Sequence, residues 1–166
     1  MKKILVVVSL MLISFSTFAQ NKVDAKIGFV DFALLRDTLP ETDTLEIEIK
    51  SATAQFEQQI YGMQNEIMEL RKELDSTSDA KFRKYLQKDI QQTEQKMQQT
   101  YQQAEYIIGQ LQQQALLQLN ETISNAVEKV AKSKKYTTVL DSANVVYGLP
   151  QDDLTKEVAK VLNVVL

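Results

Sequence analysis

The chain has 166 residues, enough for one ordinary domain, and its apolar (44%) and charged (25%) fractions are close to those of average globular proteins. It carries 19 basic and 22 acidic residues but no histidine or cysteine, so it has no imidazole base, no thiolate nucleophile and no soft metal ligand. No phosphate-binding, dinucleotide-binding or metal-binding motif occurs in it, and we predict that the protein is not an enzyme and uses no cofactor or metal.

The first 19 residues have the three parts of a secretory signal peptide. Lys2 and Lys3 precede an apolar stretch over 4–18, and the tripeptide TFA ending at Ala19 has the small-x-small pattern of a cleavage site. The alternative is a membrane anchor, but the stretch is shorter than the ~20 residues that span a bilayer. We therefore predict a signal peptide over 1–19, with cleavage after Ala19 and a soluble mature protein outside the cytoplasm.

Cleavage would change the charge balance of the chain. Removing Lys2 and Lys3 from the 19 basic residues leaves 17 against 22 acidic ones, a net charge of −5. An acidic protein of this kind is a poor ligand for nucleic acid, so we expect no nucleic-acid partner. An exported chain without cysteine also has no disulfide, and must gain its stability from packing or from assembly.

The segment 20–40 predicts the first part of a small body. The sequence KIGFVDF is rich in β-prone apolar residues between polar ones and predicts a strand over 26–31. The sequence ALLRDT then predicts a short helical turn. Pro40 suits the first turn of a new helix, so the next element should begin there.

A helical repeat occupies residues 41–133. Apolar residues recur in two long runs at spacings of three and four, which is the a/d pattern of a coiled coil. A cluster of small polar residues, DSTSDA over 75–80, separates the two runs. We therefore predict an antiparallel helical hairpin with its tip near 75–80.

The second helical run contains a glutamine-rich stretch over 96–119. Its composition alone is typical of disordered or aggregation-prone tracts. The apolar residues within the stretch keep the coiled-coil spacing, so we predict a helix whose seam packs on the first helix. The predicted seam residues are Met97, Tyr101, Ala104, Ile108, Leu111 and Ala115.

The segment 134–166 predicts the second part of the body. The sequences YTTVLD (136–141) and NVVYG (144–148) indicate two strands joined by a tight turn, and DDLTKEVAKVLNVV indicates a last amphipathic helix. The fold class is thus α+β, with three short strands per chain, a long helical hairpin and a C-terminal helix. So few strands bury little apolar area, and we expect the strand module to assemble with further copies of the chain.

The sequences KIGFVDFALLRDTLPE, YTTVLDSANVVYG and DDLTKEVAKVLN, placed on either side of a long helical hairpin, resemble those of the Skp/OmpH family of periplasmic chaperones. The resemblance covers essentially the whole mature chain. It implies a trimer with a small β body, and hairpins that enclose a cavity for unfolded outer-membrane β-barrel proteins. It also implies a periplasmic holdase that suppresses client aggregation without ATP or a cofactor. A structural tether or adaptor in the cell envelope, and a carboxylate-based enzyme, are the alternatives.

Several apolar residues lie partly outside the predicted seam. Three of them, Tyr61, Met68 and Tyr85, are candidate client-binding residues because flexible or amphipathic side chains suit weak contacts with unfolded chains. The alternative is ordinary packing. We prefer packing in a trimer core for the residues nearer the body, which are Ile47, Ile107, Leu116 and Leu117.

The predicted tip is basic. Between residues 71 and 88 the net charge is +3, and the basic residues are Arg71, Lys72, Lys81, Arg83, Lys84 and Lys88. One interpretation is a positive end that attracts anionic clients or gives peripheral contact with a membrane surface. The other is a solvated helix end stabilised by ordinary charge pairs.

Two glycines interrupt the helical runs. Gly62 and Gly109 each cost a helix interior about 1 kcal/mol relative to alanine. Either they are hinges that let the hairpin bend around clients of different size, or they allow a close approach of the two helices.

Overall fold

The protein is described from a computed structural model that covers residues 25–166. The predicted signal peptide and its cleavage site lie outside the described residues. Along the described chain the elements follow in this order: β1 (Ile27–Val30), α1 (Phe32–Thr38), α2 (Pro40–Ser76), α3 (Ala80–Lys134), β2 (Thr138–Asp141) and α4 (Thr155–Leu162). Two short 3-10 helices, Ser142–Asn144 and Pro150–Asp152, lie between β2 and α4.

The helical hairpin is present and consists of α2 and α3, with 37 and 55 residues, or about 55 and 80 Å. Pro40 occupies the first turn of α2, where its missing N–H costs nothing. The Asp79 side chain accepts hydrogen bonds from the Lys81 and Phe82 amides and so caps the start of α3. Lys135, in the left-handed conformation, ends α3 with its N–H on the Ala131 and Lys132 carbonyls.

The two helices pack along a single seam. Its buried residues are Ile60, Met63, Ile67, Leu86, Ile90, Thr93, Thr100, Ala104 and Ala115. Tyr101 was predicted for the seam, but its side chain is 48% exposed, whereas Thr100 is 9% exposed. The Thr100 hydroxyl donates to the Lys96 carbonyl, 3.0 Å away, so only its methyl group has to pack between the helices.

The strands β1 and β2 share one two-stranded sheet and run parallel, with Ile27 opposite Thr138 and Val30 opposite Asp141. The prediction that 136–141 and 144–148 form a β-hairpin is wrong, and within residues 25–166 there is no third strand at 144–148. The Asp141 carboxylate accepts from the Ala143 amide and caps a 3-10 helix, which turns the chain away from the sheet. The β-prone segment after it therefore has no neighbouring strand to pair with.

The body is built on the end of α3 that lies farthest from the tip. Its core contains Val30, Leu35, Leu39, Leu119, Ile123, Ala126, Val130, Tyr136, Leu154, Val158 and Ala159. The apolar face of α4 packs here, as its sequence pattern predicts, and so do α1 and β1. The helical hairpin is therefore continuous with the body core, because α3 contributes residues to both.

Polar contacts fix β1 to the chain before α4. The Leu154 amide donates to the Phe29 carbonyl over 2.9 Å, and the Asp31 amide donates to the Thr155 hydroxyl over 3.0 Å. The Tyr136 hydroxyl donates to the Asp152 carboxylate, 3.1 Å away. Burial, together with that carboxylate, raises the pKa of Tyr136 above its usual value.

Candidate functional site: the exposed surface of the helical hairpin

Large apolar side chains lie exposed along the hairpin, outside its seam. They are Ile47, Tyr61, Met68, Phe82, Tyr85, Tyr101, Tyr106, Leu116 and Leu117, and each is more than a third exposed. A single exposed apolar residue is ordinary on a protein surface, but nine on one pair of helices form an extended, dispersed apolar surface.

The three candidate client-binding residues are accessible. Tyr61, Met68 and Tyr85 are 65%, 59% and 58% exposed. Tyr61 and Met68 lie two turns apart on one side of α2, whereas Tyr85 lies on α3. The structure thus distributes the three along the hairpin and does not gather them into one pocket.

Tyr85 has its own local environment near the tip. Its ring stacks on Phe82, with the centroids 6.3 Å apart and the planes 7° from parallel. A hydrogen bond to the Asp89 carboxylate and the negative charge of that group raise the pKa of Tyr85 above its usual value. The two rings together present an exposed aromatic surface near the tip.

Met68 lines a groove between the two helices, which we call the arm groove. Its lining residues are Gln64, Ile67, Met68, Arg71, Glu94 and Met97, and its volume is about 330 Å³. Arg71 and Glu94 join α2 to α3 by an ion pair, with Nη2 and Oε1 2.7 Å apart. The seam pattern places Met97 correctly, but the groove and the partnership of Glu94 depend on side-chain length and rotation, which the pattern does not contain.

The apolar residues nearer the body stay largely uncovered within one chain. Ile47, Leu116 and Leu117 are exposed and Ile107 is partly buried. Their packing in a trimer core therefore stays a prediction, because nothing in a single chain covers them.

The six basic residues of the predicted tip have different roles. Arg71 is paired with Glu94, and the Arg83 guanidinium donates to the Leu74 and Thr77 carbonyls at 2.7 and 3.0 Å. Arg83 thus holds the end of α2 against the start of α3, a positioning role that its charge alone did not indicate. The remaining four form no salt bridge in the described part of the chain; they are Lys72, Lys81, Lys84 and Lys88.

Charge varies strongly along the hairpin. Residues 40–70 contain seven acidic side chains and one basic one, and residues 89–120 contain three acidic side chains and one basic one. Residues 71–88 contain six basic and three acidic side chains. The two segments 40–70 and 89–120, which we call the shaft, are therefore negatively charged, and the tip, 71–88, is positively charged.

Both helix glycines face open space. A Cβ atom added at Gly62 or at Gly109 would meet no other atom within 4 Å. A close approach of the two helices therefore does not explain these glycines within one chain. The hinge interpretation stays a prediction.

The body carries a second exposed apolar surface beside β2. Leu140, Val146 and Tyr147 are exposed there, Val146 fully and Tyr147 by 81%. Gly148 lies under the Phe29 ring, where a Cβ atom would come within 2.3 Å of a ring carbon. The sequence pattern of 144–148 indicated a paired strand, so it did not predict that Val146 and Tyr147 are exposed.

Comparisons with known proteins agree with this architecture. The family described as outer membrane protein (OmpH-like) matches residues 26–162. Similar curated proteins include the chaperone protein Skp of Yersinia enterocolitica, 27% identical over 82% of this chain and 85% of that protein. The chaperone protein Skp of Vibrio cholerae is 25% identical over 89% of this chain and 90% of that protein.

A solved structure shares the fold. The crystal structure of an OmpH-like outer membrane chaperone from Caulobacter crescentus superposes with a TM-score of 0.73, and the match covers 84% of each chain at 16% identity. No helix within residues 25–166 is both long and apolar enough to cross a membrane, and this part of the chain has no acidic cluster suited to a metal ion. From the match over 26–162, the chain belongs to the OmpH-like family, whose Skp relatives are chaperones.

Proposed function

We propose that the protein is a periplasmic holdase chaperone that binds unfolded outer-membrane β-barrel proteins and prevents their aggregation without ATP. The observation that carries the proposal is the apolar surface of the hairpin, left exposed although the seam between the helices is already closed. Many weak contacts along such a surface bind a flexible client collectively, because each contact raises the effective concentration of the next. The similarity to Skp chaperones supports the same conclusion.

The active form in this proposal is a homotrimer joined through the body. The uncovered segment beside β2 and the β-prone residues around Tyr147 support assembly, since an exposed strand edge pairs readily with another chain. Three hairpins would then enclose a shared cavity, and the residues nearer the body would pack in the trimer core; they are Ile47, Ile107, Leu116 and Leu117. Sedimentation of the mature chain tests this step, and a stable monomer at micromolar concentration would contradict it.

Light scattering tests the holdase activity directly. A β-barrel outer-membrane protein is diluted from urea with and without the mature protein at an equimolar ratio of trimer to client. We expect suppression of scattering, and a weaker suppression after the joint substitution of Tyr61, Met68 and Tyr85 by serine. The matched control substitutes Gln98, Gln102 and Gln113 by serine, because these are exposed residues of the same hairpin without apolar surface.

A second proposed role concerns the tip. Lys72, Lys81, Lys84 and Lys88 are not engaged in the salt bridges described above, and they would give the hairpin peripheral contact with an anionic membrane surface. Co-sedimentation with vesicles containing anionic lipid should fall when the four are replaced by glutamine. Unchanged binding would show that the tip is only a solvated helix end.

The tether alternative is less well supported. A tether needs a binding module at each end, whereas the two helices are joined at the tip by a turn over residues 77–79. If the mature protein does not suppress aggregation, the tether becomes the better hypothesis.

A further inference from the structure

We propose that the arm groove seats one large apolar side chain of an extended polypeptide segment whose neighbouring residues are uncharged. This inference rests on the proposed holdase function and names the place on each hairpin where a client is gripped. It concerns a defined groove between two helices of one chain, and not the general apolar surface of a shared cavity.

The dimensions of the arm groove fit a single side chain. Its volume of about 330 Å³ lies at the lower end of the range for ligand pockets, about 300 to 1,000 Å³. Ile67 is buried at the seam, while Met68 is mostly exposed and forms a side of the groove. A bound helix would need a longer apolar groove, so the occupant that fits is one protruding side chain of an extended segment.

The walls of the groove are adaptable. Met68 and Met97 are unbranched and their thioethers are polarisable, so they can adjust to an aromatic or an aliphatic side chain without strain. A holdase for many unfolded sequences needs this tolerance, whereas a rigid pocket would select one residue type.

The rim of the groove determines the charge of the occupant. Arg71 and Glu94 neutralise each other across the helices, and both side chains are largely exposed, at 62% and 43%. Exposed pairs of this kind contribute little stability, so the pair can separate at low cost. Arg71 can then donate to a backbone carbonyl of the bound segment, while Glu94 accepts from a backbone amide.

The surroundings reinforce this selection. The charged residues close to the groove in sequence have both signs: Glu66, Glu69 and Lys72 on α2, and Lys96 on α3. Their opposite charges largely cancel, so a charged residue of either sign beside the bound side chain gains little net attraction. An uncharged segment with one apolar side chain therefore suits both the groove and the surface around it.

Single-cysteine variants test the proposal, since the chain has no cysteine of its own. In the mature protein, Met68→Cys places a thiol at the arm groove, and Gln99→Cys places one at an exposed point of the same hairpin that lies outside the apolar surface. The probe is a short peptide of serine, threonine and glutamine with one activated cysteine and, two residues away, either phenylalanine or alanine. The measured quantity is the rate of disulfide formation with each peptide.

We expect the phenylalanine peptide to react about fivefold faster than the alanine peptide at Met68→Cys, and both peptides to react equally fast at Gln99→Cys. Adding Met97→Gln should abolish the difference at Met68→Cys while the hairpin stays helical by circular dichroism. Glu94→Gln leaves Arg71 unpaired, and should increase about threefold the rate of a peptide that carries glutamate beside its phenylalanine.

Three results would overturn the inference. The first is an equal preference for phenylalanine at both cysteine positions, and the second is the absence of any preference. The third is rapid disulfide-linked dimerisation of Met68→Cys, which would show that a second copy of this chain fills the groove. If one of these occurs while light scattering still shows suppression of aggregation, the holdase function stands and only the groove assignment fails.

Discussion

The body and the helical hairpin use buried surface in different ways. In the body, Val30, Leu35, Ile123, Leu154 and Val158 are completely inaccessible, and they come from four different elements and the segment just before α4. In the hairpin, a single seam buries one row of side chains from each helix, and several of these are as small as alanine or threonine. The body core thus holds several elements in one arrangement, while the hairpin exposes most of its surface to solvent.

This difference shows how one short chain combines rigidity with exposed apolar surface. An apolar patch on a poorly packed domain would destabilise it or cause aggregation. Here α3 is anchored in the body at Leu119, Ile123 and Val130, so the exposed residues farther along are carried by an element that is already held. In the proposed function, stability and client contact are therefore supplied by different parts of the same helix.

The largest effect is expected for a truncation in the body core. Ile123→Ala should lower the free energy of unfolding by about 4 kcal/mol, because the side chain is fully buried and its neighbours come from several elements. Ile90→Ala, in the hairpin seam, should cost only about 2 kcal/mol, since a two-helix seam relaxes more easily. Urea unfolding followed by circular dichroism measures both, and equal losses would contradict the division between body and hairpin.

A glycine substitution in the body tests the packing there. Gly148→Ala should destabilise the protein by about 2 kcal/mol, because the new Cβ atom collides with the Phe29 ring and forces it to move. Thermal unfolding gives the size of the loss. Combining Gly148→Ala with Phe29→Leu should recover part of it, and no recovery would show that the ring is not the obstacle.

The tip should respond to the loss of its arginine. Arg83→Gln should destabilise the end of the hairpin by about 1 kcal/mol, because two carbonyls lose a charged donor. Amide exchange near residues 74–82 should accelerate, while exchange in the body stays constant. Lys84→Gln is the matched control, and an equal acceleration in it would assign the effect to net charge.

A similarly small effect, of the opposite sign, is expected in the helices away from the tip. Gly109→Ala should stabilise the protein by about 1 kcal/mol, because the position faces open space and alanine is the better helix former. The same variant tests the hinge prediction. A bend at Gly109 should become stiffer, so the range of client sizes protected from aggregation should narrow.

Local sequence patterns predicted the helices correctly and the strand pairing poorly. The three-and-four spacing identified the hairpin because helical period is a local property, and the polar cluster before Ala80 marked its turn. The parallel pairing of β1 with β2 was not predictable, since either direction satisfies the same residues. NVVYG has the composition of a strand, but a strand also needs a partner, and residues 25–166 pair no strand with it.

In the candidate site, too, some features could be predicted from the sequence and others could not. Exposure of Tyr61, Met68 and Tyr85 followed from their positions off the seam. The positioning role of Arg83 did not, because it depends on which carbonyls lie within reach of a long side chain. Thr100, and not Tyr101, lies in the seam because its hydroxyl bonds to its own helix and leaves only a small methyl group to pack. The sequence pattern missed this because it counts threonine as polar.

The parallel pairing across the hairpin also constrains the order of folding. Ile27 and Thr138 are neighbours in the sheet although the whole of α2 and α3 separates them in the chain, so their contact closes a very long loop. Antiparallel zipping of the hairpin, which starts from a three-residue turn, brings these ends together and removes most of that entropic cost. Pulse-labelled amide exchange during refolding should therefore protect residues near the tip before β1 and β2. Formation of the helical hairpin would therefore place β1 and β2 close enough to pair, so the body would fold after the hairpin.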